Sequence, residues 1–539
     1  MKLPLAGLAI LVVTLSTVLP LSEAKLPAHH HDALAKHAGQ RSISKHGHKH
    51  HHHASKKIKT LTAKQTAELH EHEKAAMDRI RHGHPHLSSF GKRDDLAVTV
   101  HKRASKTKKK KKKTTKKKTT TVAKATSTTK ATAASSSKAV TATTATPSST
   151  CPVTYTEGAT TIAGTGTLPK PTAFVKRSGQ NLLLNGKNYR MAGPNVYWLG
   201  LDENVQPSPS YPDKGRVREA MAIAVAMGAN TIRALSLGIS YGNSLSLMPS
   251  LNTYNAQAWD AIDYAVYAAG QYGLRVIITL GDDYQYYTGG KYTFLRWLGI
   301  STGNYGSAFY TNASALNAFR SYIQTFITHK NPYTGLTYAQ DPTIIAWETG
   351  NEWGAYIGRE GYPPLAFTNN IASLIKHLAP NQLIIDGTDG LWNYSTGATA
   401  PGLKSSYIDI ASDHLYPINT GIFSKDLSLA KSAKKNLLIG EFDWTDYSKL
   451  QSYISAVEKT NYVGSMAWSV FGHAYTTGDQ CCGAYVQHSD SYSIYYPDGN
   501  SAAQQSNILA LSQHWHRLTG QTPPKTLKAV LCPQPVLAK

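Results

Sequence analysis

Thr343-Ile-Ile-Ala-Trp-Glu-Thr-Gly-Asn-Glu-Trp353 is the stretch on which the fold turns. Ile344 to Trp347 are apolar whichever way they point, as expected of a strand buried on both faces of a parallel sheet. The run then breaks into a polar end carrying Asn351 and Glu352. Seven similar runs flank it, at 191–198, 230–237, 275–281, 382–386, 408–414, 436–441 and 463–470. Helical spacing fills most of the gaps, at 216–227, 256–272, 315–329, 368–378 and 447–460. Gly273 stands where a helix C-terminus favours glycine. Eight strand–helix units predict an α/β chain folded as a (β/α)₈ TIM barrel. A doubly wound sheet competes, but no glycine-rich phosphate loop follows the first strand. A hairpin over 174–187 is expected to plug the barrel bottom.

The charge lies elsewhere. The chain has 539 residues and a formal net charge of +24. Its first 150 residues hold 30 Lys+Arg against 8 Asp+Glu, whereas 151–539 hold 27 against 25. A uniformly basic nucleic-acid-binding fold is therefore excluded, and no nucleic-acid partner is expected. All nine Trp fall in the neutral part, which exceeds the roughly 250 residues a barrel needs.

The basic part divides in three. Residues 1–24 read as a secretory signal peptide: Lys2, an apolar run closed by Pro20, then Ser22-Glu-Ala24. The alternative, a membrane anchor, needs about 20 apolar residues. No later segment is apolar enough to span a bilayer, so the mature protein is expected outside the cell. Residues 25–103 are His- and Lys-rich and too poor in large apolar side chains to offset the entropy of ordering. Lys92-Arg93 and Lys102-Arg103 mark this segment as a candidate propeptide. His46, His48 and His50 to His53 read as a polar tract with weak metal affinity at most. Residues 104–150 form a Lys/Ser/Thr-rich disordered linker, with Lys108 to Lys113 and Lys116 to Lys118 as a self-repelling block. The whole arm suits a cationic tether to anionic cell-wall polymer. The bland alternative is a solvated linker.

Residues 151–539 make the barrel domain, and all four cysteines lie in it: Cys151, Cys481, Cys482 and Cys532. In a secreted chain they imply disulfides. Cys151–Cys532 with a vicinal Cys481–Cys482 is the favoured pairing, because barrel ends often lie close. The crossed pairing stays open. Asn312-Ala-Ser and Asn393-Tyr-Ser fit the glycosylation pattern and are expected on the surface.

A barrel places its chemistry at the carboxyl ends of its strands. Those ends carry Arg233, Asn351-Glu352-Trp353, His414-Leu-Tyr416, Glu441 and Trp468. Two carboxylates thus converge from strands 4 and 7. Such a pair suits glycoside hydrolysis, one acting as general acid and the other as nucleophile at about 5–5.5 Å separation. A single Glu at a strand end is as easily an ion-pair partner. The full set at five strand ends is what favours the chemistry.

These same residues resemble glycoside hydrolase family 5, and within it the fungal endo-β-1,4-mannanase branch. Phe174-Val-Lys-Arg-Ser-Gly, Leu184-Asn-Gly-Lys, Gly193-Pro-Asn-Val-Tyr-Trp-Leu and Gly289-Gly-Lys-Tyr-Thr-Phe-Leu-Arg-Trp297 extend the likeness over roughly 172–520. The resemblance implies Glu352 as acid/base and Glu441 as nucleophile. It also implies Arg233 beside Glu441 to keep it charged, and Asn351 on the sugar 2-hydroxyl. Tyr416 would steady the nucleophile, His414 would orient the acid/base or the sugar, and Trp468 would stack under the sugar. Trp353, Trp392 and Trp444 are candidates for further sugar platforms, each with wall packing as its alternative. The chain departs from the branch at Leu280-Gly-Asp-Asp-Tyr284, where a His is common. It departs again at Trp353-Gly-Ala after Glu352, and in the Cys481-Cys482 loop.

The implied activity is a secreted retaining β-mannanase that uses side chains alone, with no metal or cofactor, acting as a monomer on polysaccharide. A β-glucan hydrolase or a transglycosidase of the same family is the alternative. A wall-bound carbohydrate-binding protein without turnover is the rival from another class. Deleting Lys108–Lys118 should lower retention on anionic wall material at low salt, and unchanged retention would reject the tether.

Overall fold

The computed structural model describes residues 168–355, 361–475 and 482–535. The expectations for 1–24, 25–103, 104–150 and the His tract lie outside the described residues. Three short antiparallel strands come first: β1 (Lys176–Ser178), β2 (Asn181–Leu184) and β3 (Lys187–Tyr189). Eight parallel strands follow as β4 (Ala192–Pro194), β5 (Thr231–Ala234), β6 (Arg275–Thr279) and β7 (Ile344–Glu348), then β8 (Leu383–Ile385), β9 (Ile410–Leu415), β10 (Asn436–Phe442) and β11 (Gly464–Ala467). Their order is β4-β11-β10-β9-β8-β7-β6-β5. The ring closes between β4 and β5, where Val196 N donates to Arg233 O at 2.9 Å and Asn230 N to Ala192 O at 3.0 Å. This is the (β/α)₈ TIM barrel, with each strand inside the run expected of it or within a residue of it.

The outer helices include Lys214–Ala226, Ala256–Gln271, Ala313–Thr328, Leu365–Leu378 and Tyr447–Glu458. Two more, Thr420–Ser432 and Ala502–Leu518, were not predicted. Six of these helices begin at a side-chain cap. Asp213, Asn255, Asn312, Asn419, Asp446 and Ser501 each accept from a backbone N–H in the first turn, which satisfies donors the helix cannot. Gly273 follows the second helix in the left-handed region, φ 75°.

Apolar packing divides into a shell between strands and helices and an inner core inside the barrel. The inner core joins Val175 and Leu182 of the hairpin region to Ile277, Ile345, Ile385, Ile410, Leu438 and Met466 of the strands. Hydrogen bonds seat the hairpin at the strands' amino ends: Arg275, first in β6, donates to Ala173 O, and Asn436, first in β10, to Gln180 O. The hairpin is the plug. With the bottom closed by side chains, only the carboxyl ends of the strands are left to form a mouth.

Two expectations are corrected. Cys532 pairs with Cys482, their Cα atoms 5.8 Å apart, which excludes both Cys151–Cys532 and the vicinal bond and agrees with the crossed pairing left open. The tail runs back over the outer helices, where Arg218 donates to Gln534 O and Tyr272 to Gln534 Oε1. That path brings Cys532 to the hairpin after β11, not to the start of the domain. Cys151 and Cys481 lie outside the described residues. Asn393 is buried, 2 % exposed, and its Oδ1 accepts from Ser395 N and Thr396 N, so it is no surface acceptor in this fold. Asn312 is half-buried at its helix cap. Among the described residues no helix is long and apolar enough to cross a membrane.

Leu182 is fully buried in the plug. Leu182→Ala should cost about 2–5 kcal/mol of folding stability, read as a lower urea midpoint. An unchanged midpoint would show that the plug is not part of the core.

Candidate active site

Arg233, next to last in β5, is fully buried, and its guanidinium reaches four acceptors on three other chain segments. Nε donates to Glu348 Oε2 at 2.8 Å, and Nη1 to Asn195 Oδ1 at 3.0 Å and Glu441 Oε1 at 2.7 Å. Nη2 donates to Asn351 Oδ1 at 2.9 Å. Burial opposes the charge, but Glu348 and then Glu441 outweigh it and hold the guanidinium above its ordinary pKa. The cation therefore fixes the nucleophile candidate and the residue before the acid/base candidate together.

Glu441 lies at the end of β10, where the register with β9 shifts between Ile439 and Glu441. Gly440 is the extra residue of that bulge, which re-aims the next side chain. A Cβ on Gly440 would stand 2.8 Å from Ser412 Oγ and 2.9 Å from His414 Nε2, so glycine is what lets the imidazole lie there. Tyr416 donates to Glu441 Oε2 at 3.0 Å. His414 Nδ1 lies 2.5 Å from Glu352 Oε1 and 3.6 Å from Glu441 Oε1. Burial works against a charged His414, but Glu441 and the hydrogen bond to Glu352 prevail and push its pKa up to about 9. With the imidazole charged, Nδ1–H donates to Glu352, so one proton is shared between the two groups. One oxygen of Glu352 and one of Glu441 stand within 4.8 Å of each other.

Glu352 itself has φ 53°, in the left-handed region, which is uncommon for a side chain of this kind. Its neighbours take up the turn. Trp353 N donates to Gly387 O at 2.8 Å, and its ring lies against Gly350, where a Cβ would come within 1.9 Å of it. Phe309, Tyr310, Phe319 and Phe367 enclose the same ring. Trp353 is 1 % exposed. Its ring packs within that aromatic wall. Trp444 is likewise buried, its Nε1 donating to Tyr492 O at 2.8 Å. Trp392 carries Lys425 Nζ 3.4 Å from its ring centre. Trp468 stacks on Tyr197 at 5.2 Å and 10°, and its Nε1 donates to Asp490 Oδ2 at 2.9 Å.

Hydrogen bonds join Arg233, Asn351, Glu441 and Tyr416, and a 3.6 Å contact from His414 to Glu441 brings the His414–Glu352 pair alongside, with Trp468 placed separately. Sequence reasoning missed Asn195 and Glu348. Both are buried partners of Arg233, and Thr279 donates a second hydrogen bond to Glu348. Glu348 ends its strand three residues before Asn351, and that position was the one available signal.

A closed (β/α)₈ barrel thus brings two carboxylates from the ends of β7 and β10 together beside a buried Arg, a pairing that suits glycosidic-bond chemistry. The profile described as glycoside hydrolase family 5, β-mannosidase-like, matches residues 172–449. The chain belongs to glycoside hydrolase family 5. Among its relatives is mannan endo-1,4-beta-mannosidase 2 of Oryza sativa subsp. japonica, 29 % identical over 285 residues, 49 % of this chain and 61 % of that protein. Another, mannan endo-1,4-beta-mannosidase 5 of Arabidopsis thaliana, is 26 % identical over 59 % of this chain and 83 % of its own length. The chain spans about three-fifths of the length of the first curated relatives it matches. The fold is shared with the endo-beta-1,4-mannanase of Thermotoga petrophila, at TM-score 0.53 and 21 % identity over 64 % of this chain and 80 % of that one. It is shared also with a family 5 mannosidase of Rhizomucor miehei, at TM-score 0.52 and 18 % identity over 65 % and 99 %.

The raised His414 pKa has a definite sign. Its stabilisation is complete below the unfolded value of about 6.5 and is lost as pH rises through the folded value, about 9. The gap in melting temperature between the native chain and His414→Gln should be widest below that window and vanish above it. A gap independent of pH would contradict the charged pair.

Proposed function

We propose that the chain is a secreted retaining glycoside hydrolase that cleaves β-1,4-mannan internally. The observation that carries the mechanism is the approach of the Glu352 and Glu441 oxygens to within 4.8 Å. That suits direct attack by one carboxylate and leaves little room for the water an inverting enzyme holds between them. The substrate rests on the family and on what the relatives are named for.

In this reading Glu441 attacks the anomeric carbon while Glu352 gives its proton to the departing sugar oxygen. The bond to the leaving group breaks as the bond to Glu441 forms. Glu352, now a carboxylate, takes a proton from water, which displaces Glu441 and retains the anomeric configuration. Arg233 and Tyr416 hold one Glu441 oxygen each. His414 stores the proton of Glu352 before the first step. Asn351 keeps its Oδ1 on Arg233 and donates from Nδ2 to Asp282 Oδ1 at 3.2 Å, which leaves a second Nδ2 hydrogen for the sugar 2-hydroxyl. Trp468, 1 % exposed with Tyr197 stacked on it, is the proposed stacking partner of the sugar ring. Secretion and wall retention through the basic arm complete the proposal.

The native chain should convert β-mannan early into oligosaccharides of mixed length, and Glu441→Ala should lower kcat by at least about 10³-fold. Product sizing on mannans and β-glucans reads both. Cleavage of glucan with mannan intact would reassign the substrate, and longer products at high acceptor concentration would mark a transglycosidase.

A further inference from the structure

Glu352 occupies a backbone conformation that costs free energy unless its surroundings enforce it. Part of the enforcement comes from the loop after β6, Leu280 to Tyr284. Asn351 N donates to Gly281 O at 2.7 Å, and Asp283 N to Asn351 O at 3.0 Å, so the two loops run side by side just before Glu352. Just after Glu352, Gly354 N donates to Asp283 Oδ1 at 3.0 Å. Asp283 therefore grips the turn on both sides of Glu352, once through its backbone and once through its side chain.

Asp283 is fully buried, and its Oδ1 also accepts from Tyr310 Oη at 2.9 Å and from Lys291 Nζ. Lys291 is 2 % exposed, and its own backbone N donates to Asp282 O at 2.9 Å. A buried Lys–Asp pair costs much desolvation and is weak evidence of a stability role. It does hold an acceptor in one place with little freedom. Three donors converge on one oxygen, while Oδ2 has no partner among the described residues. An uncharged amide could therefore keep all three contacts and put its NH₂ where nothing is bonded.

We infer that Asp283 is a positioning residue for the acid/base: through Gly354 and Asn351 it holds the left-handed turn that points Glu352 at His414 and the scissile oxygen. This rests on the role proposed for Glu352. Asp283 touches no substrate, so its effect must appear only where acid assistance is needed.

The test compares β-mannan, whose leaving oxygen needs a proton, with 2,4-dinitrophenyl β-mannobioside, whose leaving group departs unprotonated. For Asp283→Ala, kcat/KM on mannan should fall about 10–100-fold, a fraction of what general acid catalysis supplies. On the aryl mannobioside it should change by less than about threefold, with azide raising its kcat. Asp283→Asn should recover most of the loss. Tyr310→Phe, a milder change at the same oxygen, should show the same selectivity on a smaller scale and serves if the alanine variant fails to fold. Parallel losses on both substrates, or no loss on mannan, would overturn the inference. Glu352→Ala is the control: if it is not selective for mannan, the assignment of Glu352 fails, and the inference falls with it for that separate reason.

Discussion

The site depends on one buried cation. Arg233 draws together Asn195, Glu348, Asn351 and Glu441 from three other segments, the farthest 208 residues away from it in sequence. Two carboxylates of like charge cannot share a water-excluded pocket without a compensating charge. The guanidinium supplies it, and its planar fork also sets the angles at which Glu348 and Glu441 approach. Glu348 does not reach the reacting atoms. It anchors the Arg from below, so that the remaining donors face the mouth. Lysine in its place would offer a point charge without the fork.

That arrangement is possible because stability is supplied elsewhere. The plug and the inner core occupy the amino ends of the strands, and the aromatic wall around Trp353 stiffens the acid/base loop from outside. The mouth can then concentrate polar groups that would be costly in a core. The bulge at Gly440 belongs to the same division. It breaks the β9–β10 ladder at the one point where Glu441 must turn toward His414, and the regular pairing of residues 436–439 absorbs the irregularity.

Much of this was legible in the chain. The eight strands announced themselves because each is buried on both faces and so reads as a short apolar run. Arg233, Glu352, His414, Tyr416 and Glu441 were visible because they stand at the ends of those runs. The two missed helices had weaker patterns. Only Phe423, Asp426 and Ala430 of Thr420–Ser432 are buried, and Ala502–Leu518 buries Asn507, Ser512, His514 and His516 among its apolar residues. Asn507 donates to Trp444 O and Thr445 O, and His514 bonds Glu458. Polar residues satisfied by distant partners look exposed in a sequence. The direction of the Trp353 ring was equally hidden, since it follows from the left-handed turn at Glu352. The disulfide was misread because chain position says little about where a tail folds back.

The loops after β6 and β11 act as supports for the proposed reacting groups. After β6, Asp282 is fully buried. Burial pushes its pKa well above the carboxylate range, against the hydrogen bonds from Asn351 and Tyr284, and its contact is with Asn351. After β11, the hairpin segment tied by Cys482–Cys532 leads to His488 and Asp490, their side chains both buried, with Nε2 and Oδ2 3.0 Å apart. Asp490 also accepts from Trp468, Tyr492 N and Ser493. Burial works against the charge, but the contact with His488, and after it the bonds from Trp468 and Ser493, hold the Asp490 carboxyl below its ordinary pKa. An anionic Asp490 fixes the edge of the Trp468 indole while Tyr197 covers one face, so the unfamiliar loop decides the plane of the proposed sugar platform. Substitution in such supports shifts the angle at which a sugar is held and leaves the Arg233-centred pair of carboxylates intact. Sugar preference can therefore diverge within this family without disturbing the groups that break the bond.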